Sequence, residues 1–422
     1  MNEDFLQFVW HTRRFDQQQL TTTEGASVQV LNPGTWNKHD GPDFLDARIK
    51  IGETLWAGHV EMHTKASEWL RHNHQNDPAF DNVILHVVFE EDEPVRTSTG
   101  SRIPGLELKN RIPDKLWTRY LQWQHGQHWI PCQTMIDQVG DLHRSMWLDR
   151  LLVERLQAKT SRIGERLAAN GNDWEETFYQ FLARNFGLTA NAGVFEELAR
   201  SIPQRILARH KDQLLQLEAL LFGQSGLLHD APEEAYTRQL RSEYEFLRKK
   251  YKLTPLPATR WKWGRLHPGN FPTVRLAQFA RLVQQSAHLF SKILEVEEQA
   301  DVEALFSVEL DGYWKTHFSF GKPVEKGPKR LGPDTIRLLT INSIAPFLFY
   351  YGSTMGEEVY KDKALNLLEQ LPPEKNHLIK GWEALGWKAA NAFETQALLH
   401  LKKNYCDQRQ CLHCAIGAEL LK

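Results

Sequence analysis

Hydrophobic and polar positions along this chain follow one rhythm over the first quarter and another over the rest. Up to about residue 115, apolar residues recur in short runs at 26–31, 44–51, 55–64 and 83–90, separated by turn formers such as Asn32-Pro33-Gly34 and Gly52. These runs predict β-strands. Two helices are expected to join them. One covers residues 4–15, with Phe5, Phe8, Val9 and Thr12 on one face; a shorter one covers 67–71 behind a Ser67 cap. The resulting order is helix, strand, hairpin, helix, strand.

From about residue 140 the apolar spacing becomes helical, at 146–156, 174–186, 204–222, 233–251 and 335–351. Residues 254–272 carry Pro255, Pro257, Pro268 and Pro272 and predict a long connector, and 311–329 reads as a small β excursion. The expected class is α+β: an α/β core over residues 1–115, a linker over 116–139, and a large, mainly α-helical domain over 140–422.

The most informative stretch runs from Gly41 to Trp69. In the second strand of its hairpin, alternation puts Trp56, Gly58, Val60 and Met62 on one side and His59, Glu61, His63 and Lys65 on the other. Asp43 follows Pro42 into the preceding strand, where a pleated pair brings its carboxylate towards Glu61. Two adjacent carboxylates raise each other's proton affinity, and a divalent cation makes the pair favourable; Mg²⁺ or Mn²⁺ suits oxygen ligands. Such an ion holds a phosphodiester oxygen and acidifies a bound water, while a nearby Lys or His stabilises charge or moves a proton. Asp43, Glu61, His63 and Lys65 supply that set.

The alternative is a solvated strand face with no chemistry. Histidine density weighs against it, because His59, His63, His72, His74 and His86 crowd into one short segment of a chain with 18 histidines. His72, His74 and His86 are therefore expected to line the pocket. A second chemistry is open to the same residues: His72-Asn73-His74, with Asp77 or His86, can bind Zn²⁺ and activate water.

Charge and composition narrow the picture further. The 51 Lys+Arg nearly cancel the 53 Asp+Glu, so no global field announces a nucleic-acid partner and any such surface is local. Residues 248–265 form one candidate, with seven basic side chains, Tyr251, Trp261 and Trp263, and no acid. That is the recipe for single-strand contact, with Arg260, Lys262, Arg265 and Arg275 on phosphates; the plainer reading is a solvated helix end followed by a loop whose tryptophans plug a seam. No uncharged run is long enough for a secretory leader or a membrane span, so no membrane partner and a cytoplasmic location are expected.

The chain has four cysteines. Cys406, Cys411 and Cys414 form C-x4-C-x2-C with His413 inside it, and Cys132 is the one remaining cysteine. Thiolates so spaced are ligands for a structural Zn²⁺ or an iron–sulfur cluster, or else remain reduced thiols in a small apolar end.

The order of elements, Pro42-Asp43 and Glu61-Met62-His63 together resemble the PD-(D/E)xK nuclease superfamily over residues 1–115. That resemblance implies a restriction-endonuclease-like core, with His63 at the lysine position, Lys65 two residues further, and Glu3 as the nearest helical glutamate. More broadly, the strings GPDF, VEMH, SEW, HNHQNDPAFDNVILHVV, NFPTVRLAQ and CDQRQCLHCAIG are similar to a bacterial family of uncharacterised proteins, domain-of-unknown-function family 2851. The expectation drawn from all of this is a metal-dependent phosphodiesterase acting on nucleic acid. Its rivals are a non-catalytic nucleic-acid or protein binding scaffold with a degenerate nuclease fold, and a zinc-dependent hydrolase built on His72 and His74.

Overall fold

The period-two runs are realised as a six-stranded mixed sheet in the computed structural model, which describes residues 1–286, 288–325 and 330–421. After helix α1 (Glu3–His11) come β1 (Val28–Asn32), β2 (Thr35–Trp36), β3 (Phe44–Ile51) and β4 (Thr54–Lys65). The short helix α2 (Glu68–Arg71) then leads to β5 (Val83–Glu90) and β6 (Gly105–Glu107). The main strand order is β1-β3-β4-β5-β6, with β2 also on β3. The β1–β3, β2–β3 and β3–β4 pairs are antiparallel; β4–β5 and β5–β6 are parallel. β5 reads as an almost unbroken apolar run because residues 83–88 are all buried, as expected of an inner strand with parallel neighbours.

Local chemistry sets the ends of these elements. Asn2 caps α1 by accepting from the Phe5 N–H, and the helix stops at His11 because Arg13 turns to a left-handed φ of 54°. α1 packs on β4 and buries Phe5, Leu6, Phe8, Val9 and Trp10. Gly58 lets β4 and the start of β5 approach closely, since a Cβ there would lie 2.5 Å from Ile84 Cγ2 and 2.6 Å from the Asn82 carbonyl oxygen. Ser67 precedes α2 as expected, but its hydroxyl donates to Asp92 instead of capping the helix.

Two units are distinguished along the chain. Unit 1 comprises Met1–Trp147 and Leu401–Lys422; unit 2 comprises Leu148–His400. The sequence pattern divides the chain at residues 115 and 140, whereas unit 1 takes in helix α3 (Asp114–His125), runs into the first turns of α4 (Asp141–Ala169), and recovers the C-terminal segment after unit 2. Chain order hides that return.

Unit 2 is helical. The helix Trp174–Phe186 is as the spacing predicts, and the expected 204–222 helix is two, Gln204–Ala208 and Leu214–Gln224, parted by a turn at the polar residues 209–213. Fully buried Phe178, Phe186, Phe195, Phe222 and Phe279 fill this unit. Over 311–325 a 3-10 turn, Gly312–Lys315, and a single bridge between His317 and Pro323 stand in place of a β excursion. Residues 326–329 of that expectation lie outside the described residues. Helix makes up 55% of the structure, which together with the N-terminal sheet makes the class α+β. Among the described residues no helix is long and apolar enough to cross a membrane.

Candidate metal centre

The parallel register of β4 on β5 pairs Glu61 with His86 and His63 with Val88, so Glu61, His63 and His86 share one sheet face. On the other side of β4, Phe44 lies opposite Val60 before a bulge in β3. Continuing that register puts Asp43 opposite Glu61. The bulge contains Asp46 in a left-handed conformation, φ 56°, which tightens the strand before the site.

Reciprocal bonds hold the two acids. The Asp43 N–H donates to Glu61 Oε2 at 3.0 Å, and the Met62 N–H donates to Asp43 Oδ2 at 3.0 Å. Gln7, on α1, donates its amide to Asp43 Oδ1 at 2.8 Å and to Glu3 Oε1 at 3.3 Å. Three carboxyl groups therefore gather at one end of the sheet. Burial, then repulsion by Glu61, raises the Asp43 carboxyl to about 7. Burial pushes Glu61 up to about 8, with Glu3 adding to it, and burial followed by repulsion from Asp43 lifts Glu3 to about 7. Such carboxyls lack positive charge.

Imidazoles occupy the other side of Glu61. Its Oε1 lies 3.3 Å from His74 Nε2 and 3.7 Å from His63 Nε2, and His63 Nε2 is 3.1 Å from His72 Nδ1. His63, His72 and His74 can each offer one nitrogen such that all three lie within 4.8 Å of one another. Asn73 adopts a left-handed φ of 66° between His72 and His74, which turns both neighbouring rings towards His63. Deeper in, His63 Nδ1 is 2.8 Å from His86 Nε2. With the His63 proton on Nδ1 as donor to His86, the Nε2 lone pair is free to bind a cation, the tautomer-fixing role typical of an outer partner.

The aromatic wall explains why the rings hold their places. His74 stacks on Phe80 with centroids 3.8 Å apart, and fully buried Trp69 meets His74 and His86 edge-on while its Nε1 donates to the Arg96 carbonyl at 3.0 Å. Burial, reinforced by the neighbouring His86, drives His63 down to about 2; burial lowers His86 to about 3. These imidazoles are neutral, the state a metal ligand requires. Glu61, His63 and His86 form a buried floor, while His72 is exposed and Asp43 and Glu3 are half-buried, so solvent reaches the centre.

The donor set fits a divalent cation. Three imidazole nitrogens and a carboxylate oxygen suit Zn²⁺ or Mn²⁺ better than Mg²⁺, which favours oxygen. The Asp43 and Glu3 carboxylates offer a second, oxygen-rich set beside it.

The other expected site residues are placed elsewhere. Lys65 is exposed at the end of β4, and its charge acts on Glu90 and Asp92. The β4 alternation put it on the site face, but the strand outruns the cluster before reaching it. His59 Nδ1 accepts from the Asp46 N–H, and Asp77 caps the turn Pro78–Phe80. In unit 2, Arg260 pairs with Glu197, Lys262 is exposed with its backbone N–H held by Asn191, and Arg265 is exposed. Arg275 is only 5% exposed, and its guanidinium donates to Gln278, Asn270 and Thr335. Trp261 is buried with its Nε1 on the Ser225 carbonyl, so its face is not offered to a base.

Gln7, Trp69 and Phe80 are the positioning residues that sequence reasoning missed. The spacing of Gln7 four residues after Glu3 was the available signal for one of them.

The comparisons now have a structure to attach to. A family model described as "Protein of unknown function (DUF2851)" matches residues 3–377. The chain belongs to this family. No curated protein and no solved structure matches it. The DUF2851 match spans every residue of the histidine and carboxylate cluster and ends before Cys406, Cys411 and Cys414.

Proposed function

We propose that this protein is a metal-dependent hydrolase of phosphodiesters, with nucleic acid as its substrate class. The observation that carries the reading is the position of Glu61 between two donor sets: His63 and His74 against Oε1, and the Asp43 strand, with Glu3 beyond it, on the Oε2 side. A bridging carboxylate with nitrogen donors on one side and oxygen donors on the other can serve two cations ~3.5–4 Å apart, the spacing used to clamp the attacking and leaving oxygens of a phosphodiester. Bound cations supply Lewis acidity and an acidified water.

The chain's own residues do the rest. His63, His72, His74 and Glu61 form the nitrogen-rich set, His86 orients His63, and Gln7 orients Asp43. Asp43 and Glu3, both near pH 7 in proton affinity without metal, are suited to take a proton from an attacking water. The histidine trio supports Zn²⁺ or Mn²⁺ as the first ion, and with a small substrate it is the zinc-hydrolase reading; the added Asp43 and Glu3 carboxylates favour the diester.

The test is cleavage of labelled single- and double-stranded DNA and RNA, with bis(p-nitrophenyl) phosphate as a generic diester, across Zn²⁺, Mn²⁺ and Mg²⁺. Metal-dependent cleavage lost in Glu61→Gln and His63→Ala is expected. Absence of cleavage with every ion, or activity unchanged in both variants, sinks the proposal. Salt-sensitive nucleic-acid binding indifferent to metal would select the scaffold instead.

A further inference from the structure

The four cysteines take no part in the centre above, yet the fold collects all of them in unit 1. Cys132 opens the 3-10 turn Gln133–Gln138, on which the last helix, Ala415–Leu420, packs. Cys406 ends a π-helical turn, Leu401–Cys406, and Cys414 caps the last helix. Bonds that involve no thiol tie this segment to the end of α3. Arg409 donates to the carbonyls of Trp123 at 3.0 Å and Gly126 at 2.6 Å, and Gln124 donates to the Arg409 carbonyl at 3.0 Å. Gly417 passes so near Cys411 that a Cβ would sit 2.2 Å from the Cys411 carbonyl oxygen, so only glycine permits that approach.

The thiols left inside this framework crowd together. Cys132, Cys411 and Cys414 are buried, and none of the four cysteines is in a disulfide. Burial, with Cys414 the next cause in each case, raises Cys132 and Cys411 to about 12 and Cys406 well above the usual thiol range. Lys402 and Arg409 place positive charge beside Cys406 and Cys411. Buried thiols that neighbour one another in this way gain from ligation, because a metal centre replaces their protons and offsets their repulsion. His413 is turned away, its ring 5.2 Å from that of Trp36.

Spacing distinguishes the kinds of centre. Four thiolates on one Zn²⁺, with bonds of ~2.3 Å, stand about 3.8 Å apart at the corners of a tetrahedron. Among the described residues, the histidine trio is the one group of three that brings its donor atoms within 4.8 Å of one another, so the sulfurs are neighbours at a wider spacing. A wider thiolate cage suits several irons bridged by sulfide.

We propose that Cys132, Cys406, Cys411 and Cys414 ligate an iron–sulfur cluster that fastens the C-terminal segment to the turn after α3. The cluster closes unit 1 even though all of unit 2 lies between Cys132 and Cys406 in the chain. Its role is structural and involves no electron transfer.

The test uses the full chain, produced with ample iron and purified without oxygen. A brown protein is expected, with about four irons and four acid-labile sulfides per chain, and the colour is lost in Cys411→Ser and in Cys132→Ser. Because a serine variant can fail to fold, the wild type supplies an independent readout. Its four thiols should resist iodoacetamide until the cluster is stripped, and stripping should lower the melting temperature. Iron-free protein, one zinc per chain without sulfide, or four thiols freely alkylated in protein that retains its colour overturns the proposal.

Discussion

Two regions of this molecule looked equally rich in chemistry along the chain, the hairpin with its histidines and the basic, aromatic segment 248–275, and folding treats them in opposite ways. In the hairpin, strand pairing carries acids and imidazoles onto one face and leaves three carboxyl groups short of positive charge. In the basic segment the charges and rings are already used. Arg260 is neutralised by Glu197, Arg275 is surrounded by amide and hydroxyl acceptors, and Trp261 is in the core. Local composition counts groups; only convergence without a protein partner marks a place prepared for something else.

The sharpest way to break this contrast is to remove a donor from the cluster. His63→Ala should weaken Zn²⁺ or Mn²⁺ binding, read by calorimetry, by more than the ~10–100-fold typical of losing an outer partner. Binding that stays unchanged would reduce the cluster to a polar core like that around Arg275. His86→Gln removes only the ring that orients His63, so its cost should fall within that ~10–100-fold range, with most of the fold retained in the far-ultraviolet spectrum.

A pH series sharpens the same point. Without metal, Glu3, Asp43 and Glu61 keep their protons to about 7, 7 and 8 in the folded chain, against ordinary values of 4.5, 3.8 and 4.5. Between roughly pH 4 and 8 the folded state thus binds more protons than the unfolded one, and its stability falls as pH rises through that window. Melting temperatures in chelator should show this decline, and saturating metal should flatten it. An equal decline with and without metal would separate the acids from any cation.

Smaller effects are expected in the basic segment. Arg275→Met strands the oxygens of Gln278, Asn270 and Thr335 and should cost about 1–3 kcal/mol in denaturant unfolding. Arg260→Ala breaks a pair whose members are both more than one-third exposed and should cost under about 1 kcal/mol. Smallest of all, Lys65→Ala should leave diester cleavage within about two-fold of wild type, since its charge acts on Glu90 and Asp92. A large loss there would restore Lys65 to the site.

Much of the first unit was legible because strand alternation is a local property. The face shared by Glu61 and His63, the hairpin that brings Asp43 beside Glu61, and the helix Trp174–Phe186 all follow from residue spacing within one or two elements. The part played by His72 and His74 was half legible, since the His-x-His string was visible but the left-handed Asn73 that aims both rings was not. The contributions of Gln7, Trp69 and Phe80 were not readable, because amides and aromatic rings serve a core as readily as a site and their partners are remote in sequence.

By itself the sequence determined the change from strands to helices, the polar face of β4 and the supply of metal-binding side chains, because each depends on periodicity or residue type over a few neighbours. Tertiary structure alone decided that Glu3 and Gln7 meet Asp43, that Lys65 falls outside the cluster, that Arg275 is buried, and that the C-terminal cysteines return to Cys132. Those outcomes depend on which distant segments pack together, and packing sums many weak contacts across the chain that no short window of sequence contains.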